Sequence, residues 1–482
     1  MTVKSTLATL SFIFVLVLTA HAQISQFQHI IIVFQENRTP DNLFHALCDS
    51  FPCSTTPDRT HYNIQTANWL DRTSSTGVTQ PFGIPLKHKY GLGHAQPAFR
   101  KQCDLNKAVD PPQCRMDGAA FTASNHGAFG YVLDTVDDKH PNGILAPYLT
   151  IATQYGWANY MFQTNQGPSY PAHQYIFGGT SALDAAGDAA GTFISGNIPK
   201  ASGCLAQDGE TFQLIDAYGK QTRFNINYAA GITHCLTRTT MGDLLDEAGI
   251  GWKFYSTNAI SWFTAPNTSQ TICVPDSGHN SCTGSRWADS VELVPAHILR
   301  DLGANGSPCR LRPVSWVIPS GTNSDHASGD GGPDWVGSIV NALGTSSCKN
   351  PDGTSYWNTT AIVVTWDDWG GFYDHVPPSI LPFPQGAYQL GFRVPMLFIS
   401  AYTPPGYIDN LRHDFGSVLR FVENNFDLGE GALGFADARA TTDLSSFYNL
   451  SGSPRPFVAI PTAKTTLEVL NDKTPLTDPD DY

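Results

Sequence analysis

Three short apolar runs constrain this chain most: residues 29–34 (HIIIVF), 360–366 (TAIVVTW) and 394–399 (VPMLFI). Each is rich in β-branched or aromatic residues and none alternates apolar with polar, the pattern of strands covered on both faces of a parallel sheet. Helical periodicity lies between and after them, at 147–155, 241–248, 334–343 and 415–425, the last with Val418, Leu419, Phe421 and Val422 as its stripe. Strands alternating with helices predict an α/β fold, a central and mainly parallel sheet sandwiched by helices. The intervals 50–118 and 182–235 are rich in Gly, Pro, Ser, Thr and Asp without a sustained period, so they read as long loop excursions over that sheet. Residues 23–450 are therefore expected to form a single domain, with 451–482 as a C-terminal tail.

The first 22 residues read as a secretory signal peptide. Lys4 supplies the positive end, residues 7–18 the apolar stretch, and Ala20-His21-Ala22 the small-x-small cleavage pattern. The ten cysteines agree with secretion or a periplasmic destination: they are even in number, no C-x-x-C pair suggests a zinc or redox motif, and structural disulfides are the default. Pairing neighbours, 48 with 53, 103 with 114, 204 with 235, 273 with 282 and 309 with 348, is the simplest assignment for a chain whose loops need pinning. Beyond the N-terminus no apolar stretch is long enough for a membrane span, which argues against an integral membrane protein. A net charge of -14 argues against a nucleic acid scaffold, which needs clustered cations.

In open parallel sheets ligands bind beyond the carboxyl ends of the strands. After the first run come Glu36 and Asn37, and after the second come Asp367 and Asp368, followed by Gly370, Gly371 and His375. Taken singly, each acid reads more readily as a cap or loop residue. Gathered at one sheet edge they would repel strongly unless a divalent cation compensated them, and such ligands suit Mg, Mn, Ca or Zn alike. Ser169, in Asn165-Gln166-Gly167-Pro168-Ser169-Tyr170-Pro171-Ala172-His173, stands where a turn enters a helix. It reads either as an N-cap or as a hydroxyl nucleophile whose anionic substrate is held by free helix N–H groups. His94, His326 and His375 fall in Gly-rich or acid-flanked loops.

These residues carry a resemblance. QHIIIVFQENRTPDNLF resembles the opening of the phosphoesterase family that contains nonspecific phospholipases C and secreted acid phosphatases, in which a strand precedes E-N-R-S-F-D. TWDDWGGFYDHVPP, GFRVPMLFIS and HDFGSVLRFVENNF resemble three later blocks of the family, in order. The resemblance implies an alkaline-phosphatase-like fold and a divalent metal held by Glu36, Asn37, Ser169, Asp367 and Asp368. It also implies Ser169 as a nucleophile forming a phosphoseryl intermediate, with His94, His326 and His375 contacting phosphate or moving protons. The substrate implied is a small phosphate ester or, in the phospholipase C alternative, a phospholipid. The chain departs from the family where the phospholipases read G-P-T-x-P-N-R: His173 replaces the Arg. Asp367-Asp368 in place of Asp-Glu leans toward the acid-phosphatase branch. A sulfatase is disfavoured by the same missing Arg, and a silent binding protein by the presence of every candidate ligand. Charge counting adds an expected acidic pH optimum, the three histidines becoming cationic in acid.

Overall fold

The computed structural model describes residues 25–479 apart from 89–90, 123–125, 198–200, 327–328 and 384–385, so the expected signal peptide lies outside the described residues. Its centre is an eight-stranded sheet. In chain order the strands are β1 (His29–Gln35), β2 (Gly156–Phe162), β3 (Trp252–Tyr255), β4 (Val291–Glu292), β5 (Val314–Val317), β6 (Thr360–Trp366), β7 (Met396–Ser400) and β8 (Tyr407–Asp414). They lie side by side as β4-β3-β5-β1-β6-β7-β2-β8. All pairings are parallel except the two made by β7, which runs against β6 and β2. The run at 394–399 thus forms the one reversed strand. Buried on both faces it still lacks alternation, because burial, not strand direction, sets that pattern.

Every residue of β1 and β6 is buried, which requires cover on both faces. Two groups of helices supply it. One contains α1 (Ala146–Gln154) and α4 (Gly332–Gly344), packed on each other; the other contains α2 (Ser169–Gly178), α3 (Met241–Glu247) and α5 (Phe415–Asn425), with α2 touching both partners. Local chemistry sets the helix starts. Thr240 and Asp243 form a reciprocal cap on α3, as Asp414 and Ser417 do on α5.

The loop excursions carry small sheets of their own, including a three-stranded one over 193–225 whose two- to five-residue strands are too short for a sequence period to register. All ten cysteines are paired in the neighbour pattern. Residues beyond 450 bond back to earlier elements: Ile460 exchanges hydrogen bonds with Asn341 of α4 at 2.9 Å, and Thr477 O accepts from Gly321 N. Among the described residues no helix is long and apolar enough to cross a membrane.

Candidate active site

Because β7 alone is reversed, the carboxyl ends of β1, β6, β5 and β2 open on one edge of the sheet. The parallel register of β1 with β6 sets His29 opposite Thr360 and Gln35 opposite Trp366, so Glu36 and Asp367 leave the sheet side by side. Asp367 N still donates to Gln35 O at 2.9 Å. Asn37 then turns the chain with φ 62°, a left-handed conformation that Asn tolerates. Gly370, at φ +64°, closes on that turn from the other loop. A Cβ there would lie 2.3 Å from Asn37 O, so only glycine lets the two acidic loops meet. Gly167 does the same for a third loop, since its Cβ would lie 2.1 Å from His94 O and 2.5 Å from the Trp369 ring.

The side chains are held with free atoms turned inward. Asp367 Oδ1 accepts from the backbone N–H groups of Asn37 (3.0 Å) and Asp368 (2.6 Å), while its buried Oδ2 has no hydrogen bond among the described residues. Asp368 Oδ1 accepts from Gly370 N at 2.7 Å, and its Oδ2 lies 3.5 Å from the Ser169 hydroxyl, which donates. Asn37 Nδ2 lies 3.5 Å from His94 Nε2, leaving Asn37 Oδ1 buried without a partner among the described residues. His94 Nδ1 is 3.0 Å from Leu92 O, a partner that can only accept, so Nδ1 carries the proton and Nε2 receives the Asn37 amide. Burial, and after it the Asp367 charge, push the Asp368 carboxyl well above its ordinary range. Orphaned oxygens and crowded carboxylates at one point fit a divalent cation.

Ser169 is the first residue of α2 rather than its cap, which is Pro168. The free helix N–H groups expected around it are mostly spent or absent. Pro168 and Pro171 have none, Tyr170 N donates to Asn197 Oδ1 at 2.9 Å, and Ala172 N returns to Pro168 O. Among the described residues the Ser169 N–H is the first-turn amide not so engaged.

His326 follows β5 and is 3% exposed. Burial, then the neighbouring His94 and Arg38 charges, push its imidazole down to about 3. It therefore stays neutral at the acidic pH where it was expected to become a cation, and the acidic optimum loses that support. Its loop is positioned by Arg38, whose guanidinium donates to Asp325 O at 2.7 and 3.0 Å and to Leu86 O at 2.8 Å. The Asp325 carboxylate is in turn anchored by Tyr148 Oη–H and Trp366 Nε1–H, both at 2.8 Å.

His375 joins a different group. Its Nδ1 lies 2.7 Å from Asp41 Oδ2 and its Nε2 2.9 Å from the Asn63 amide, within a network closed by Arg393, which holds Asp374 at 2.9 Å and Asp41 at 3.3 Å. The structure thus draws Glu36, Asn37, Ser169, Asp367, Asp368 and His94 together, with His326 close enough for the His94 charge to act on it, and ties His375 elsewhere. It adds His173, whose Nε2 lies 3.4 Å from Glu36 Oε1 and 4.0 Å from Asp367 Oδ2. Burial lowers this imidazole to about 4, the Asp367 charge opposing. Sequence reading registered His173 only as a departure from the family pattern. Its signal was the spacing, since Ser169 and His173 are one helical turn apart on the same face of α2.

The model of the Phosphoesterase family matches residues 27–429, most of the chain. The chain belongs to that family. It is 27% identical to a non-hemolytic phospholipase C of Pseudomonas aeruginosa over 47% of this chain and 35% of that protein. It is 29% identical to phospholipase C B of Mycobacterium tuberculosis over 45% of this chain and 44% of that one. The chain thus spans less than half the length of these relatives. Among solved structures it is similar to an alkaline phosphatase superfamily protein of Vibrio parahaemolyticus, at 11% identity and a TM-score of 0.33, over 74% of this chain and 69% of that one.

Proposed function

We propose that this chain hydrolyses phosphoric esters at the Ser169 cluster, outside the cytoplasm, with a divalent cation held by Glu36, Asn37, Ser169, Asp367 and Asp368. The observation that carries the reading is the Ser169 hydroxyl, 3.5 Å from Asp368 inside a buried set of carboxylates. Five disulfides support an oxidising compartment. When bound, the cation would let the carboxylates stay ionised together and favour the serine alkoxide.

The chain's own groups then have these roles. Asp368 Oδ2 accepts the Ser169 proton as the serine oxygen attacks phosphorus in line and the P–O bond to the leaving alcohol breaks, and water carries that proton from Asp368 to the leaving alkoxide. The Ser169 N–H and neutral His326 donate to the phosphoryl oxygens. The lone pair of His94 Nε2, exchanged from the Asn37 amide, takes the proton of the water that hydrolyses the phosphoseryl intermediate and returns it to the Ser169 oxygen as the Ser169 O–P bond breaks.

A phospholipase C reading is favoured by the relatives' names and by a cavity of about 430 Å³ beside the turn that leads to Ser169. Asn165 and Gly167 border it, and Tyr175, Phe193, Ile194 and Tyr388 give it an apolar wall suited to part of a leaving group. The test is turnover of a chromogenic phosphomonoester, a chromogenic phosphodiester and phosphatidylcholine vesicles by metal-replete protein, with the acid-quenched enzyme weighed intact. Hydrolysis of at least one substrate, with one phosphoryl group trapped on Ser169, is expected. Folded protein inactive on all three would overturn the proposal.

A further inference from the structure

We infer that His173 is a further ligand of the cation at this site, through Nε2, and that the site therefore favours a divalent first-row transition ion over Mg²⁺ or Ca²⁺. This deepens the metal reading above and rests on it. His173 is fully buried, and neither ring nitrogen has a hydrogen-bond partner among the described residues. Its ring packs against Phe34 and Phe263, with centroids at 6.2 and 4.9 Å, so the surroundings on those sides are apolar. A buried imidazole satisfied at neither nitrogen is an exception that demands a partner.

Nε2 faces the carboxylates. Two donors each ~2.1 Å from one ion lie ~3.4 Å apart at a tetrahedral angle and at most ~4.2 Å apart. The separations from Glu36 Oε1, 3.4 Å, and from Asp367 Oδ2, 4.0 Å, both satisfy that limit. One atom from each of the three residues falls within 4.8 Å of the others. An arginine at this position would neutralise the acids with its own charge. An imidazole does not; it offers a lone pair. Replacing a purely oxygen donor set by one containing an imidazole nitrogen shifts preference from Mg²⁺ and Ca²⁺ toward ions such as Zn²⁺ and Co²⁺.

The experiment uses full-length protein stripped with a chelator and loaded with one equivalent of Mn²⁺ as a paramagnetic probe. Pulsed EPR should show ¹⁴N coupling from a coordinated imidazole, and His173→Gln should bind Mn²⁺ without it. In competition binding, the preference for Zn²⁺ over Mg²⁺ should fall at least ~10-fold in that variant. Bound Mn²⁺ without ¹⁴N coupling, or coupling that persists in His173→Gln, overturns the inference while leaving the metal reading intact. Failure of any divalent ion to bind overturns both. If His173→Gln does not fold, the signal is measured in His94→Ala and His326→Ala, where it should survive; its loss in either one overturns the assignment.

Discussion

Two buried acid–histidine groups draw on the same two loops, and one has a guanidinium against its carboxylates while the other has none among the described residues. Glu36 and Asp41 both follow β1; Asp367, Asp368, Asp374 and His375 all follow β6. In the second group Arg393 is buried between Asp41 and Asp374, and His375 is bonded at both ring nitrogens. Asp41 is held below its ordinary range because His375 and Arg393 outweigh its burial. In the first group burial and Asp367 push Asp368 upward, with no guanidinium or ammonium acting on it among the described residues, and His173 is hydrogen-bonded to none of them at either nitrogen. Carboxylates and an imidazole thus form a fully bonded network where Arg393 joins them, and leave buried polar atoms unbonded among the described residues where no such cation does.

The largest effect that would sharpen this contrast is on catalysis. Ser169→Ala should lower kcat by at least ~10³-fold, because the covalent path is gone, while thermal stability stays close to wild type. Near-wild-type turnover in the folded variant would break the account of the first group. In the second group, Arg393→Met should cost about 3–5 kcal/mol in denaturant unfolding, since Asp41 and Asp374 lose their cation, and bound metal should be unchanged. Loss of metal in that variant would mean the two groups are not separate.

Asp325, which anchors the His326 loop, gives a pH test. Burial, opposed by the Arg38 charge and the bonds from Tyr148 and Trp366, raises its carboxyl from 3.8 to about 6. The folded state therefore binds more protons between those values, and the contribution of Asp325 to stability is present below pH 3.8 and lost as pH rises through 6. Asp325→Asn keeps an acceptor and should remove that loss, about 3 kcal/mol by pH 7, seen as a flatter stability profile relative to wild type. Identical profiles would contradict it. The smallest effect is one of sign. In chelator-stripped protein Asp368→Asn should stabilise by about 1–2 kcal/mol, relieving repulsion, whereas Asp41→Asn should destabilise. Matching signs would erase the distinction between the groups.

How much of this was legible depended on range. The runs at 29–34 and 360–366 announced β1 and β6 because burial on both faces leaves a contiguous apolar signature, and 415–425 coincides with α5 because a capped amphipathic helix encodes its own ends. Glu36, Asn37, Asp367 and Asp368 were readable from their place after those strands. The direction of β7 was not, since its partners are set by long-range pairing. Nor was the separation of His375 from the first group: it depends on Asp41, 334 residues away, and on Arg393, which no local pattern ties to either. His173 was hidden by a different cause, an imidazole on an apolar helix reading as core until the acids opposite it are seen.

The proposed cation belongs to the first group and not to the second. The direct test is the thermal unfolding midpoint of chelator-stripped protein titrated with Mn²⁺ or Zn²⁺, in wild type, in Asp367→Asn/Asp368→Asn, and in Arg393→Met. The midpoint should climb with metal in wild type, by the equivalent of about 2.7 kcal/mol at a hundredfold excess over Kd, should climb as much from a lower start in Arg393→Met, and should not move in the double variant. A flat wild-type titration up to millimolar metal, or an undiminished climb in the double variant, would contradict it.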